Sequence, residues 1–427
     1  MDIKSANRIV KEGFEMTTNK KFSRRDFFKI AGAAGLGSVA ASMGNSAGAS
    51  SPLKIPTRPF GKTGVNVSIL SLGGTYNLMS RQLLLKQALN MGVTYWDTAN
   101  SYSGGNSERG IGKYFARYPE DRKKVFLVTK SGSSDPDNMT QHLYTSMERL
   151  KTTYIDLFFI HMVSDVKDEV DHPKIKEWAE RAKGEGKIRL FGFSTHKNME
   201  QCLMDAARLG WIDGIMASYN YRLMNTPAMK KAADACIEAG IGLTAMKTQA
   251  TFLSNFYSDV GKDSETASKL TEQFMANGYT PEQAKLKAVW DNPNIGSICS
   301  AMPNLTYLQA KVAAALDKTQ LSSEDHDILN QYARQTAGGY CTGCARLCES
   351  AVVENIPISD VMRYLMYYHN YGNHRQAIQK FNKLPETSRS RLADIDYSKA
   401  ESICPQKIPI AKFMQYAVET FSDSRQG

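Results

Sequence analysis

Residues 125–161 read VFLVTKSGSSDPDNMTQHLYTSMERLKTTYIDLFFIH, and this stretch decides the fold. Val125 to Lys130 and Ile155 to His161 are short apolar runs rich in β-branched and aromatic residues, and Met139 to Leu150 between them carries apolar residues at helical spacing. Runs this apolar suit strands buried on both faces, and a helix linking two of them predicts a parallel pair. The unit recurs in both directions. Strands are predicted over Val67–Leu72, Val93–Asp97, Ile188–Ser194, Gly214–Ser218, Gly242–Met246 and Ile295–Ser300. Helical patterns follow them over Ser80–Met91, Ser107–Arg117, Pro173–Lys183, Asn198–Leu209, Ala228–Ala239, Ser264–Asn292 in one or two pieces, and Leu305–Leu316. Eight such units in about 260 residues predict an α/β fold, the (β/α)8 TIM barrel. A doubly wound open sheet would require Gly-x-Gly-x-x-Gly after the first strand, and none is present.

In such a barrel functional groups gather at the carboxyl ends of the strands. Asp97 ends the second strand and Tyr102 lies just beyond it, in YWDTANSY at 95–102; Lys130 ends the third and His161 the fourth. The set suits carbonyl reduction, in which hydride arriving at carbon is matched by a proton delivered to oxygen. A phenol gives that proton best if an ammonium such as Lys130 lowers its pKa from about 10. Asp97 would hold Lys130, His161 would orient the carbonyl oxygen, and Tyr102 would act as general acid or base according to direction. Singly each has a plain structural reading, as helix cap, core histidine, strand end or surface aromatic. The insertion Thr248–Gly261, after the seventh strand, is long enough to act as a lid.

With 42% hydrophobic and 22% charged residues among 427, the chain has the composition of a globular protein. No window supplies a full membrane span. The net charge is +10, of which residues 1–49, with eight Lys and Arg against four Asp and Glu, carry +4. The remainder is spread out, without an arginine-rich run, and argues against a nucleic-acid partner. Ser23-Arg24-Arg25-Asp26-Phe27-Phe28-Lys29, a Gly/Ala-rich apolar run from Ile30 to Ala41 and Ala47-Gly48-Ala49 follow the order of an export signal. The twin arginines resemble the twin-arginine signal, whose route carries proteins folded around a cofactor. Cleavage after Ala49 and a periplasmic or otherwise exported location are expected.

RPFGKTGVNVSILSLGGTY at 58–76, DTANSY, SERGIGK at 107–113 and GKIRLFGFS at 186–194 resemble the aldo-keto reductases. The resemblance implies that Asp97, Tyr102, Lys130 and His161 are the catalytic tetrad and that the enzyme interconverts a small carbonyl and an alcohol with NADP or NAD. It places Gly74, Thr75 and Ser194 at the cofactor, and Lys247, which ends the seventh strand and faces the same mouth, is a further cofactor-binding candidate. The family's carboxamide-holding Ser-Asn pair and Gln fall on Ser194, Thr195 and Met216, so only the serine is kept, and Ser300–Ala310 carries no basic residue for a phosphate.

Cys202, Cys236 and Cys299 are isolated and read as core residues. Cys341, Cys344, Cys348 and Cys404, the last followed by Pro405, resemble ferredoxin-type ligation with one extra residue before the third cysteine. An internal repeat supports this. Ile356-Pro357-Ile358 leads to Val361-Met362 and Tyr364 as Ile408-Pro409-Ile410 leads to Phe413-Met414 and Tyr416. Aligned on the repeat, Cys404 stands opposite Val352, and the second copy's other ligand positions fall on Asp394, Tyr397 and Ala400. Since the fourth cysteine of one ferredoxin motif ligates the other motif's cluster, one ligand set survives and a single [4Fe-4S] cluster is expected. Two disulfides or a four-thiolate zinc site are the structural alternatives.

The expected organisation is a signal at 1–49, the barrel at 50–320 and a C-terminal, mainly helical ferredoxin-like iron-sulfur domain at 321–427, with a redox partner protein. The competing expectation is a barrel that has lost nicotinamide and serves as an iron-sulfur electron-transfer or binding protein.

Overall fold

The computed structural model describes residues 54–251, 253, 271–352 and 356–422. The export signal, most of the Thr248–Gly261 insertion and the start of the Ser264–Asn292 segment lie outside the described residues. A hairpin of β1 (Thr57–Pro59) and β2 (Asn66–Ser68) comes first. Eight parallel strands then close into a barrel: β3 (Leu70–Gly73), β4 (Tyr95–Asp97), β5 (Phe126–Ser131), β6 (Ile155–Ile160), β7 (Ile188–Thr195), β8 (Gly214–Ser218), β9 (Gly242–Met246) and β10 (Ile295–Ala301), with β10 paired to β3. The single strand expected over Val67–Leu72 is two. The Ser68 hydroxyl accepts from the amides of Thr94 and Tyr95, and Ile69 turns its carbonyl to Ile298 N and the Trp290 indole, so the chain leaves the hairpin and enters the barrel there.

Alternation along each strand sorts the side chains. Leu127, Phe158, Ile160, Phe191 and Phe193 join the core beneath the outer helices. Tyr95, Phe126, Val128, Leu157, Phe159, Leu190, Met216 and Met246 fill the barrel interior. Phe60 plugs its amino-terminal end, so close that a Cβ on Gly242 would stand 2.4 Å from its ring.

The outer helices include α1 (Gln82–Asn90), α2 (Asn106–Arg117), α3 (Pro136–Leu150), α4 (Pro173–Gly184), α5 (Met199–Ala206), α6 (Pro227–Glu238), α7 (Pro281–Trp290) and α8 (Leu305–Leu316). Several begin with a capping side chain followed by proline: Asp135 accepts from Asn138 N, Thr226 from Met229 N and Thr280 from Gln283 N. Such a pair satisfies an orphan amide and presets the first helical φ. This is why α3 starts three residues before the expected Met139.

Beyond the barrel, α9 (Ser323–Gln335) packs against α7 through Ala284, Ala288, Ile328 and Leu329. Then α10 (Ile358–His369), α11 (His374–Asn382), α12 (Ser398–Ile403) and α13 (Ile410–Ser422) enclose a separate core. The internal repeat is visible as repeated hydrogen bonds. Ile358 N donates to Ile356 O and Val361 N to Pro357 O, just as Ile410 N donates to Ile408 O and Phe413 N to Pro409 O. Glu349 caps the amide of Ser359 at 2.9 Å, and Glu401 caps that of Ala411 at 2.8 Å.

Candidate active site and cysteine site

Because Phe126 and Val128 point inward, so does Lys130; Leu157 and Phe159 do the same for the strand that leads to His161. The Lys130 ammonium pairs with the Asp97 carboxylate and donates to Thr98 O at 2.7 Å, with both side chains buried. Burial raises the Asp97 carboxyl, and the adjoining ammonium pulls it part of the way back. Lys130 Nζ stands 5.1 Å from the centroid of the Tyr102 ring, whose face it covers, and Tyr102 meets the His161 ring edge to face at 5.5 Å. The four residues therefore share one mouth.

One electrostatic expectation is overturned. Burial, followed by the charges of Asp97, Cys299 and Tyr367, pushes the Tyr102 phenol well above its ordinary value. Lys130 lies over the ring and is neutralised by Asp97, so it does not bring the phenol down. His161 is driven well below the usual imidazole range by burial and by Lys130, Lys380 and Arg363, which makes it a neutral ring.

The residues expected at a nicotinamide are placed differently from one another. Gly74 gives its amide to Asp97 O and its carbonyl to the Ser107 hydroxyl, while Thr75 is exposed at the rim. Ser194 is buried and accepts from Met162 N at 3.1 Å. Thr195 donates to Lys197 O, Met216 is packed in the barrel interior, and Lys311 is spent on Ser300 Oγ and Ala301 O. Lys247 follows β9, but under the tail, its Nζ 4.7 Å from the ring centroids of Tyr367 and Tyr371.

That cover was not foreseen from the sequence. The segment after α9 crosses the carboxyl ends of β7, β8 and β9: Asn198 N donates to Gly343 O at 2.8 Å, Asn220 Nδ2 to the Tyr340 hydroxyl at 3.0 Å and Leu253 N to Gly339 O at 3.0 Å. Lys197 pairs with Asp360. Gly343, at φ 81°, fits because any Cβ would lie 2.2 Å from His196 O. His196, Arg363 and Tyr367 thus join the mouth. No local signal singles them out, since two of them come from the tail.

The four tail cysteines converge. Cys341, Cys344, Cys348 and Cys404 line one pocket of about 370 Å³, together with apolar Leu347, Ile358, Met362, Ile408 and Ile410. All seven cysteines are free thiols. Among the described residues no group of three or more His, Cys, Asp or Glu is arranged to hold a single metal ion. Val352, Tyr397 and Ala400 are buried in the same tail core as Cys348 and Cys404, and the Tyr397 hydroxyl donates to Leu392 O.

Comparison with known proteins agrees with the barrel. The Aldo/keto reductase family profile matches residues 69–334, and the chain belongs to that family. It is 27% identical over 238 residues to an aldo-keto reductase of Fusarium vanettenii, covering 44% of this chain and 63% of that protein. It is 30% identical over 160 residues to an NADP(+) aldo-keto reductase of Schizosaccharomyces pombe, covering 33% and 46%. The chain thus spans less than two thirds of the length of these relatives. A thermostable aldo-keto reductase crystallised with the inhibitor epalrestat superimposes with a TM-score of 0.52 at 25% identity, over 65% of this chain and all of that one. An aldo-keto reductase of Bacillus halodurans, at 19% identity and TM-score 0.55 over 65% of this chain and 96% of its own, shares the fold.

Proposed function

We propose that the protein is an oxidoreductase that interconverts a small carbonyl compound and an alcohol at Asp97, Tyr102, Lys130 and His161. The observation that carries this reading is the buried Asp97–Lys130 pair under the Tyr102 ring with His161 at its edge. Tyr102 holds its proton throughout the neutral range and gives it to the carbonyl oxygen as hydride arrives at the carbon. Neutral His161 donates an N–H to the same oxygen and orients it.

A nicotinamide cofactor, NADP or NAD, supplies hydride when bound, as the family membership supports. The residues do not reproduce the family's grip, however, because Gly74, Ser194, Thr195 and Lys311 are engaged and Met216 is packed. That departure favours the second reading, in which the barrel has lost nicotinamide and acts in iron-sulfur electron transfer or binding.

The C-terminal region serves as a ferredoxin-like domain holding one [4Fe-4S] cluster on Cys341, Cys344, Cys348 and Cys404. Support comes from the shared apolar pocket and free thiols of the four, and from the burial of Val352, Tyr397 and Ala400, three of the positions where a second cluster would need cysteines, in the tail core. Such a cluster passes single electrons. Its assembly before translocation accords with the twin-arginine segment and an exported location.

The test is anaerobic purification of the chain, followed by iron, sulfide and zinc analysis, NADH and NADPH binding, and carbonyl reduction by the Tyr102→Phe variant. Iron with equimolar sulfide, dinucleotide binding and a fall in kcat of about 10²–10⁴ with unchanged fold are expected. Retained turnover in that variant would remove Tyr102 as proton donor, and zinc without sulfide would replace the cluster.

A further inference from the structure

Beside the tetrad, barrel and tail enclose polar groups that the proposed reaction leaves unused. Lys247 has no carboxylate partner among the described residues; what lies over it is the faces of Tyr367 and Tyr371. Its backbone is in the left-handed region at φ 59°, where residues with side chains are uncommon and functional sites are over-represented. Arg363 spends a terminal nitrogen on Asp360, but its buried Nε has no hydrogen-bond partner. The Ser359 hydroxyl, buried one turn earlier on α10, also has none. These three residues and His196 line one pocket, which is open to solvent on one side.

Buried donors left unpaired are costly, and a buried cation without a counter-charge costs more. The nearby carboxylate does not relieve this, since Asp360 is shared between Arg363 and Lys197. Burial and then the Arg363 charge bring Lys247 down to about 7, so the positive field here is that of Arg363 and of the share of Lys247 that keeps its proton, which a bound anion would raise. That field is felt at His196, which burial and then Lys247 and Arg363 hold well below the usual imidazole range.

We propose that this pocket binds a small carboxylate or phosphate anion, held by Lys247 from the barrel and by Arg363 and Ser359 from the tail. The site is composite: neither the barrel nor the tail alone supplies the charge-assisted donors that grip such an anion. If the anion belongs to the substrate, the carbonyl compound is acidic, of the 2-oxo-acid type. That extension rests on the catalytic reading above, whereas the binding site does not.

The test uses the full chain, titrated calorimetrically with inorganic phosphate, pyruvate, neutral hydroxyacetone and NADPH, in wild type and in the Lys247→Met, Ser359→Ala and Arg363→Lys variants. Thermal melting of each variant establishes that it is folded. Phosphate or pyruvate should bind, and Lys247→Met should weaken that binding about tenfold or more while leaving hydroxyacetone unchanged. Loss confined to pyruvate assigns the anion to the substrate, and loss for NADPH assigns it to a cofactor phosphate. Anion affinity unchanged in folded Lys247→Met, or no anion binding to the wild type at roughly 10 mM, overturns the site. Binding to Tyr102→Phe separates the two ideas: anion binding retained with turnover lost supports both, and anion binding absent with turnover lost upholds only the catalytic reading.

Discussion

Lys130 and Asp97 are the residues whose energetics are most exposed to test. Each is almost wholly buried, so each is tolerable only because the other is there. Lys130→Met should destabilise the fold by about 3–5 kcal/mol, because it strands a carboxylate in the barrel. The double variant Asp97→Asn with Lys130→Met should recover much of that loss, since no charge then remains unpaired. Denaturant unfolding of the single and double variants measures the coupling, and additive losses would mean that the pair is not the reason for the cost. These two residues were legible in the sequence because each terminates a β run. The protonation state of Tyr102 was not, because it depends on burial, on the charge of Asp97 beside it and on Tyr367 arriving from the tail.

Among the elements, the strands matched expectation closely because their signal is local. Gly214–Ser218 and Gly242–Met246 have the predicted bounds, and β10 extends one residue beyond them to Ala301. Helix starts were read late where the cap was a side chain and a proline, as at Asp135-Pro136, since hydrophobic periodicity begins only after the first turn. β1 was missed and β2 was merged with β3: the purpose of their hairpin is to deliver Phe60 into the barrel floor, a contact made with residues more than 150 positions away. Gly242→Ala should push a methyl into that ring and cost about 1–3 kcal/mol, with Phe60→Leu in the same chain relieving part of it. Thermal unfolding measures both, and a neutral Gly242→Ala would show that the floor is looser than the 2.4 Å approach implies.

For the molecule as a whole, the joint between tail and barrel mouth carries the most consequence. The Gly339–Gly343 segment and α10 bring Tyr340, Arg363 and Tyr367 over the ends of β7, β8 and β9. The four-cysteine pocket begins at the same place, with Cys341, Thr342 and Met362 lining both it and the pocket beside Lys247. The proposed cluster therefore predicts that an iron chelator under reducing conditions loosens the tail first. Hydrogen exchange should rise across residues 341–369 and 404–422, and the tail's melting midpoint should fall by roughly 10 °C or more, while β3 to β6 stay protected. Uniform loss of protection would make barrel and tail one cooperative unit, and no change would mean that the cysteines do not hold the tail together.

The sequence by itself determined the barrel, its strand order and the four polar residues at one mouth. Alternation of side chains along a strand and the placement of a residue at a strand end are properties of a few neighbouring positions. It also contained the tail's duplication, whose two halves repeat the same hydrogen bonds. Only the tertiary structure decided that the tail lies across the mouth, that Lys247 is covered by tyrosines 120 and more residues away, and that Tyr102 is a strongly protonated phenol. Those outcomes follow from burial and from charges brought together by long-range packing, which no local pattern records.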